Sequence, residues 1–224
     1  MKKTEIISGE NIKPGLAIVG LSSTGKATYE TVENSGIGSN GLTSARHDLL
    51  SHYYAEKYPE SFDENVPADL VYCGPYKLED PLPGSALSVG QALLSPTRSY
   101  APVIYKLLDT CPGDIGGIIH CSGGAQTKCL KFGNQIHFIK DKLFPVPPVF
   151  SVIQQASGTS WKEMYKVFNM GHRMEIYCPH HAVARVTEVA ESFGIEARQI
   201  GHTETATRHS NHLSLIHGDE TFTY

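Results

Sequence analysis

The sequence predicts an α+β fold in which helices pack on a mixed β-sheet. Three observations predict it: short apolar runs that suit buried strands, amphipathic stretches that suit helices, and a strand–helix–strand–strand order near the end of the chain. The chain has 224 residues, of which 40% are hydrophobic. This is enough to bury a core in one domain or in two small ones.

The first predicted elements are a strand and a helix. The apolar run "LAIVGL" at 16–21 precedes a Gly/Ser turn, which indicates a buried strand. An amphipathic helix that ends before Pro59 follows, because apolar residues recur at spacings of three and four. These residues are Leu42, Ala45, Leu49 and Tyr53. Residues 59–90, rich in proline, glycine and aspartate, are predicted to form a long surface excursion.

The middle of the chain is punctuated by prolines. Ser95 and Pro96 resemble an N-cap and a first-turn proline, which predicts a helix from there, with Pro102 kinking or restarting it. The run "IGGIIH" at 115–120 is predicted to be a strand that leads into the loop "CSGGAQTK". The segment "LFPVPPVF" at 143–150 is predicted to be a proline-rich connection.

The last part of the chain is predicted to alternate helices and strands. Ser160 and Glu163 form a capping-box pattern for a helix in "WKEMYKVF". The elements expected after it are a strand at 174–178, a helix from Pro179 to about Phe193 closed by Gly194, and strands at 196–202 and 212–217.

Composition argues against two classes of partner. The 19 basic and 23 acidic residues give a formal charge of −4 without a basic stripe, so we expect no nucleic acid partner. No apolar run approaches the roughly 20 residues that cross a bilayer, and the N-terminus lacks the apolar core of a signal peptide. We therefore expect no membrane partner and a cytoplasmic location.

The cysteines are expected to be reduced thiols. Their number is odd, they are widely spaced, and no C-x-x-C pair occurs. Cys121 is a candidate nucleophile because glycines follow it, although a packed thiol is favoured. The five are Cys73, Cys111, Cys121, Cys129 and Cys178.

The stretch "GLSSTGKA" at 20–27 nearly fits the phosphate loop G-x-x-x-x-G-K-[ST]. Its last position is Ala27, which offers no hydroxyl to magnesium, and Thr28 is one residue out of register. The residues that follow also lack helical periodicity. A strand-to-loop turn with an incidental lysine is therefore favoured over a nucleotide-binding loop.

The histidines do not predict a metal site. There are 11, but no H-E-x-x-H motif or paired cysteine–histidine spacing is present. His212 and His217 are an odd number of residues apart, so they would face opposite sides of one strand. We expect surface and strand-end histidines, including His180, His181 and His209, and no metal ligand.

The stretch "SGIGSNGLTSARHDLL" at 35–50 suggests an anion site. Its glycines let backbone N–H groups converge, while Ser39 and Asn40 are expected to cap the helix that starts at Leu42. Free N–H groups at the positive end of a helix suit a phosphate. An ordinary capped turn is the alternative.

Three further small-polar stretches strengthen the phosphate hypothesis. They are "SPTR" at 95–98, "HCSGG" at 120–124 and "FNMGHRM" at 168–174, each at a predicted element boundary. A bound phosphate needs an arginine beside such backbone donors, and Arg98 or Arg173 is available.

Five stretches carry a resemblance to a known family. In order, they are "SGIGSNGLTSARHDLL", "LLSPTRSYAPVIYKLL", "IIHCSGGA", "LFPVPPVF" and "EMYKVFNMGHRMEIY". Together they resemble the C-terminal half of aminoimidazole ribonucleotide synthetase, also called phosphoribosylformylglycinamidine cyclo-ligase. The likeness covers nearly the whole chain.

The resemblance implies the fold and organisation of that C-terminal domain. Residues 1–224 would form a single domain, with 1–14 as the remnant of an interdomain segment. The family's ATP-binding N-terminal domain would be absent, since no D-G-x-G-T-K or G-G-E-T stretch occurs. The full-length family protein is expected to be a homodimer.

The resemblance also implies a reaction in purine biosynthesis. ATP activates the formyl oxygen of formylglycinamidine ribonucleotide, an internal nitrogen closes the imidazole ring, and ADP and phosphate leave. ATP and magnesium would be bound mainly by the N-terminal domain, so the isolated chain is expected to be inactive. The partners implied are formylglycinamidine ribonucleotide and that N-terminal domain.

The resemblance suggests which residues face the substrate. His120 would be catalytic, orienting the amidine or formyl group, with a strand-end histidine held by the backbone as the alternative. The expected substrate-binding residues are Ser39, Asn40, Gly41, Thr97, Arg98, Ser122, Gly123, Gly124, Asn169 and Gly171.

The chain also departs from the family pattern. Gly38 stands where many members have histidine, Ala125 replaces a third glycine, and residues 51–91 are longer than in compact members. Two alternatives therefore stay open. One is a superfamily relative, such as the glutamine-dependent amidotransferase, selenophosphate synthetase or thiamine phosphate kinase. The other is a stand-alone ligand-binding or assembly domain without catalysis.

Overall fold

The structure is a computed structural model that describes residues 6–224. It contains one seven-stranded sheet with the order β2-β4-β1-β5-β3-β6-β7. Neighbouring strands are antiparallel except β3 and β6, which are parallel. The strands are β1 Ala17–Ser22, β2 Gly117–His120, β3 Ile136–Lys140, β4 His172–Cys178, β5 Ala197–Thr205, β6 His212–His217 and β7 Glu220–Thr223. The predicted α+β class with a mixed sheet is confirmed.

The helices cover both faces of the sheet. On one face α1, α3, α5 and α6 share a core with Ile18 and Phe138, while α4 and α7 pack on the other face against Val19 and Ile176. The helices are α1 Leu42–Leu49, α2 Tyr53–Lys57, α3 Val89–Leu93, α4 Ala101–Thr110, α5 Pro148–Ser157, α6 Trp161–Val167 and α7 Val183–Glu191. None of the helices within residues 6–224 combines the length and the hydropathy that a membrane-spanning helix requires.

Strands β1 and β4 form the two-sided centre of the sheet. Every residue of both strands is buried. Because side chains alternate along a strand, Ile18 enters one core and Val19 the other. Strand β3 differs, since Ile136 and Phe138 are buried and His137 between them is half-buried. Only one face of β3 is therefore completely covered.

The excursion at 59–90 is held to the core. Most of its residues are exposed or half-buried, but Val71, Tyr72 and Leu82 are about 2% exposed and join the core beneath α1. His47 stacks on Tyr72 with ring centroids 4.8 Å apart. The segment therefore contributes apolar packing as well as surface.

The helix predicted from Ser95 begins six residues later. Helix α4 starts at Ala101 and has Pro102 in its first turn, so the alternative that Pro102 restarts the helix is correct. Residues before it are engaged in tertiary contacts: Ser95 Oγ donates to the Gln91 carbonyl at 3.1 Å and accepts from the Ser35 N–H at 3.0 Å. These contacts hold the segment in a non-helical form.

The prediction that 143–150 is only a connection is wrong at its end. Helix α5 begins at Pro148, because a proline is tolerated in a first turn where its missing N–H has no intrahelical partner. The helix expected to run to Pro59 is instead divided between α1 and α2. At the division, Leu50 is extended and forms a bridge with Tyr76.

Several elements carry no prediction or differ in their bounds. Strands β3 and β7 and the 3-10 helix Ala125–Lys131 are not predicted. The helix expected from Pro179 becomes a 3-10 turn at His180–Ala182 followed by α7. Ser160 Oγ accepts from the Glu163 N–H at 3.3 Å, so this cap is confirmed, while the Glu163 carboxylate pairs with Lys166.

Candidate functional site

Three of the small-polar stretches noted in the sequence meet at Arg173, at the end of the sheet where β1 and β2 end and β4 begins. Arg173 is 2% exposed. Its Nη2 donates to the Ile37 carbonyl at 2.8 Å, and its Nη1 donates to Thr97 Oγ1 at 3.4 Å. Its own carbonyl accepts from the Cys121 N–H at 2.6 Å. We call the loops joined in this way the loop cluster: residues 35–41, 95–100 and 120–125.

The loop cluster carries a concentration of positive charge. Lys128 Nζ donates to Ser122 Oγ at 2.6 Å. Burial and the charges of Arg173 and Lys128 lower the pKa of His120, which favours its neutral form. Burial likewise lowers the pKa of Arg173. We call His120, Lys128 and Arg173 the basic group. Across residues 6–224, no carboxylate forms an ion pair with any of these three side chains.

Seven of the predicted substrate-binding residues are exposed or half-buried. Gly123 is exposed, and a Cβ built on it would have no neighbour within 4 Å. Exposed or half-buried positions of this kind are accessible to a ligand. They are Ser39, Asn40, Gly41, Thr97, Ser122, Gly123 and Gly124.

The predicted caps of α1 are wrong. The N-cap is Gly41, with φ +74°, and it offers no side chain to the first turn. The Asn40 Nδ2 donates instead to the Val167 carbonyl at the end of α6. A Cβ on Gly41 would approach the Phe168 ring to 2.5 Å, so close packing against α6 determines this loop.

Arg98 has no donor left for a ligand. Its five guanidinium N–H donors are all satisfied. Two go to the Glu30 carboxylate at 2.8 and 2.7 Å, and three go to backbone carbonyls at 2.8–3.0 Å. Those carbonyls belong to Ser22, Thr24 and Gly25. We therefore assign Arg98 to holding the turn after β1.

The same contacts explain "GLSSTGKA". Its carbonyls converge on Arg98, and the Ala27 N–H donates to the Glu30 carboxylate at 2.8 Å. The chain then has no helix until Leu42. This geometry is that of a structural turn, whereas a phosphate loop directs its N–H groups inward and continues into a helix.

Asn169 joins buried parts of the site. It is 1% exposed. Its Oδ1 accepts from Ser23 Oγ at 2.7 Å and from the Gly171 N–H at 3.1 Å, and its Nδ2 donates to the Gly36 carbonyl at 2.7 Å. Its carbonyl accepts from Gln126 Nε2 at 2.6 Å. Asn169 thus supports the loop at 35–41 from its buried side, and the buried Gly171 is one of the hydrogen-bond partners of Asn169.

A second cluster of ionisable side chains lies beneath the loops, and all of its members are buried. Lys140 Nζ donates to Glu175 Oε1 at 2.5 Å, His172 Nε2 lies 3.1 Å from the same oxygen, and the Tyr177 hydroxyl donates to Oε2 at 2.6 Å. Burial alone would raise the pKa of Glu175, but Lys140 and the His172 hydrogen bond lower it to about 2. The carboxylate is therefore ionised at neutral pH.

This buried group includes a possible metal-ligand set, which is Cys121, His172 and Glu175. The Lys140 ammonium already neutralises Glu175, so a cation there would meet a like charge. Burial raises the pKa of the Cys121 thiol well above its usual value. Cys121 accordingly matches the packed thiol that the sequence favoured, and its environment does not suit a nucleophile.

The residues define an α+β domain in which loops and basic side chains cluster at one end of the central strands. Residues 13–213 match the family model described as AIR synthase related protein, C-terminal domain. The chain therefore belongs to the AIR synthase related family. Expectations about its fold and family are confirmed.

The curated proteins that are similar in sequence to this chain support the same family. The chain is 33% identical over 199 residues to a phosphoribosylformylglycinamidine cyclo-ligase of Methanopyrus kandleri. It is 34% identical over 196 residues to that of Methanothermobacter thermautotrophicus. Each alignment covers 88% of this chain but only 46% and 47% of the relatives. The chain thus spans about half the length of the curated relatives it matches.

Solved structures share the fold at low identity. T. maritima PurL complexed with FGAR matches 99% of this chain and 29% of its own, with TM-score 0.52 and 10% identity. PurLQS from Thermotoga maritima matches 100% of this chain and 27% of its own, with TM-score 0.51 and 8% identity. These likenesses concern the fold alone.

Sequence reasoning missed two features of this region. Lys128 carries no local signal because it lies in a segment predicted to be loop, whereas the 3-10 helix Ala125–Lys131 brings its ammonium to Ser122. The Lys140–Glu175 pair was also missed. A period-2 pattern was available as a signal, since Lys140 follows the buried Ile136 and Phe138 at the same spacing and an inward lysine needs a buried partner.

Proposed function

We propose that this chain is the substrate-side domain of an ATP-dependent cyclo-ligase that converts formylglycinamidine ribonucleotide to aminoimidazole ribonucleotide. The observation that carries the proposal is the convergence of three loops on Arg173, in a chain related to cyclo-ligases over nearly its whole length. The basic group and the exposed Gly123 and Gly124 suit an anionic substrate.

His120 would act on the reacting end of the substrate. It is half-buried beside Arg173 and Lys128, whose charges favour a neutral imidazole. A neutral imidazole has one donor and one acceptor, so it suits orienting an amidine or formyl group. Backbone N–H groups at Gly123 and Gly124 are available to hold oxygen atoms nearby.

ATP and magnesium would be bound mainly by an N-terminal domain of the kind found in longer relatives. Within the described part of this chain, the one cluster of three metal-ligand types is the buried group around Glu175, which Lys140 already neutralises. The turn around Arg98 likewise presents carbonyls rather than N–H groups. These residues do not fit a nucleotide-metal site, and no step of the reaction is assigned to them.

Three further expectations stay predictions. They are a cytoplasmic location, a homodimer in the full-length protein, and inactivity of this chain without the N-terminal domain. Ultracentrifugation of the chain with and without that domain would test the second, and ATP turnover by the chain alone would contradict the third.

Calorimetry with formylglycinamidine ribonucleotide tests the proposal. We expect the chain to bind it, and to support ADP release when the N-terminal half of the Methanopyrus kandleri relative is added. His120→Asn should lower turnover by about 10²-fold or more with little change in binding, since it removes a positioned proton-transfer or orienting group. His180→Asn, at an exposed position, is the matched control.

Each negative outcome has a distinct meaning. No binding, even with the N-terminal half present, would overturn the proposal. Binding of the ribonucleotide without turnover in the reconstituted pair would favour the stand-alone binding domain instead.

A further inference from the structure

Part of one sheet face has no helix packed on it. Helices α4 and α7 cover that face over β1, β2 and β4, but within residues 6–224 the core they share holds no residue of β3, β6 or β7. Ile136 and Phe138 of β3 enter the core on the opposite face, so His137 between them points to the uncovered side. We call this surface the open face. Its residues are His137, Ile139, His202, Glu204, His212 and Ser214.

Strand pairing places three metal-ligand side chains in one row across the open face. Glu204 of β5 pairs with His137 of β3, and His137 pairs in turn with His212 of β6. Neighbouring strands lie about 4.8 Å apart, so a metal above His137 would be within reach of a ligand from either side. His202, two residues before Glu204 and on the same face, is available as a fourth ligand.

The two imidazoles of this row are neighbours, and both have a nitrogen available to a metal. Their rings stack with centroids 4.1 Å apart. His137 Nε2 lies 2.8 Å from Ser214 Oγ, and when it donates to that hydroxyl, Nδ1 carries the lone pair. A metal-bound histidine has this arrangement, because its second ring nitrogen donates to a neighbouring acceptor.

His212 supplies the observation that points to a ligand. It is 9% exposed, and its Nδ1 is buried without a hydrogen-bond partner among the described residues. A buried polar atom left without a partner costs free energy, and such atoms are rare in native proteins. In residues 6–224 the only other side-chain atom of this kind is the Ser51 hydroxyl. A metal admitted by rotation of the neighbouring His137 ring would give this nitrogen a partner.

We infer that the open face binds a divalent transition metal of the zinc class through His137, His212 and Glu204, with His202 or water as the fourth ligand. Imidazole together with carboxylate suits zinc, whereas magnesium is bound mainly by oxygen atoms. The sequence alone predicts no metal ligand here, because the members of the set come from three separate strands and form no local motif. The site is independent of the proposed function, in which magnesium is bound by another domain.

The open face differs from the buried set around Glu175 in assembly and in charge. The ligand atoms of the buried set already lie within 4.8 Å of one another, but the Lys140 ammonium neutralises that carboxylate. On the open face the ligands form two pairs, the stacked imidazoles and His202 with Glu204. These side chains, apart from the buried His212, are exposed or half-buried, so rotation can bring them to one metal.

Glu204 keeps a negative charge that a cation can use. Within residues 6–224 its one ion-pair partner is His202, whose Nε2 lies 3.1 Å from Oε1, and a neutral imidazole leaves the carboxylate charge uncompensated. Arg208 is a cation whose charge reaches His137, but its side chain is exposed and can turn to solvent. No lysine is fixed beside Glu204 in the described chain, in contrast to Glu175.

Zinc chloride is the probe, titrated into the 224-residue chain without an affinity tag, in competition with a chromogenic chelator of known affinity. We expect one zinc ion per chain. His137→Asn should raise the zinc Kd about tenfold or more, because it removes the middle ligand of the row, and Glu204→Gln should raise it similarly by removing the negative charge. His180→Asn and Glu220→Gln, at exposed positions outside the row, are the matched controls and should leave the Kd within twofold.

X-ray absorption spectroscopy of the zinc-loaded chain separates the open face from the buried set. We expect nitrogen and oxygen ligands at about 2.0–2.2 Å and no sulfur ligand at about 2.3 Å. Cys121→Ala should leave the zinc Kd unchanged. A sulfur ligand, or loss of binding in Cys121→Ala alone, would place zinc in the buried set and overturn the inference.

The remaining outcomes are equally decisive. Absence of zinc binding by the parent chain would overturn the inference, as would equal Kd values for the parent chain and Glu204→Gln. If His137→Asn fails to fold, Glu204→Gln at its exposed position still decides. Magnesium that displaces zinc at equal concentration would show a general carboxylate site and contradict the imidazole ligands. Because ribonucleotide binding is measured without zinc, failure of this site leaves the cyclo-ligase proposal untouched, and the converse also holds.

Discussion

The guanidinium of Arg173 fills the space that a side chain at Gly38 would occupy. A Cβ built on Gly38 would lie 1.7 Å from Nη2 of Arg173 and 2.0 Å from its Cζ. Gly38 also has φ +59°, in the left-handed region that favours glycine. A histidine at this position, which the resemblance leads us to expect, is therefore incompatible with Arg173 in its present position.

Replacing Gly38 tests this relationship. Gly38→Ala should lower the free energy of unfolding by roughly 2–4 kcal/mol, because it adds backbone strain and displaces a buried guanidinium. Urea unfolding measures the loss. Gly113→Ala is the matched control, since Gly113 has φ +84° and open space around its Cβ, and should cost only about 1–2 kcal/mol. Equal losses for the two variants would contradict the steric relationship.

Arg98 offers a contrasting prediction. Arg98→Lys should lower the free energy of unfolding by about 1–3 kcal/mol, because a lysine cannot satisfy three carbonyls and a bidentate carboxylate together. Its Kd for formylglycinamidine ribonucleotide should stay within twofold of the parent value. Arg185→Lys, at an exposed pair with Glu188, should leave the free energy of unfolding nearly unchanged. A folded Arg98→Lys variant with weakened ribonucleotide binding would instead place Arg98 at the ligand.

The sequence predicts this fold best where hydrophobic patterning alone decides the structure. The run at 16–21 becomes β1, shifted by one residue, and the strand expected at 212–217 is β6. Helix boundaries near prolines are predicted poorly, because a proline in the first turn of a helix and a proline in a connection have the same local sequence signal. Pro148 is the clearest case, since it begins a helix rather than ending a segment.

The candidate site could be predicted only in part, for a related reason. Its small-residue loops are visible in the sequence, but their convergence depends on contacts between distant positions. Arg173 contacts Ile37 and Asn169 contacts Gly36 across separations of 136 and 133 residues. Local patterns also cannot show which arginine is paired with a carboxylate. Arg98 and Arg173 are therefore equal candidates for binding a phosphate in the sequence, and only the structure shows that Glu30 pairs with Arg98.

The buried pair of Lys140 and Glu175 should be costly to break and less costly to remove. Lys140→Met alone should destabilise the chain by about 3–5 kcal/mol, because it leaves a buried carboxylate without its cation. The double variant with Glu175→Gln should lose less than the sum of the two single variants. Urea unfolding of the three variants measures the coupling. Glu163→Gln, at the exposed pair with Lys166, is the control and should lower the free energy of unfolding by at most about 1 kcal/mol. Strictly additive losses for the Lys140 and Glu175 variants would contradict the coupling.

Acid should destabilise the chain in two ranges of pH because of the same buried group. Burial lowers the pKa of His172 below its usual value of 6.5, so the unfolded chain takes up a proton that the folded chain resists. The free energy of unfolding should therefore fall as the pH drops through about 6.5. Glu175, with its pKa lowered from 4.5 to about 2, should remove further stability between those values.

Urea unfolding at pH 7.5 and pH 5.5 tests the first range: His172→Gln should show a smaller loss than the parent chain, whereas exposed His180→Gln should match the parent. An unchanged pH dependence in His172→Gln would show that His172 takes up a proton equally well in the folded and unfolded chain.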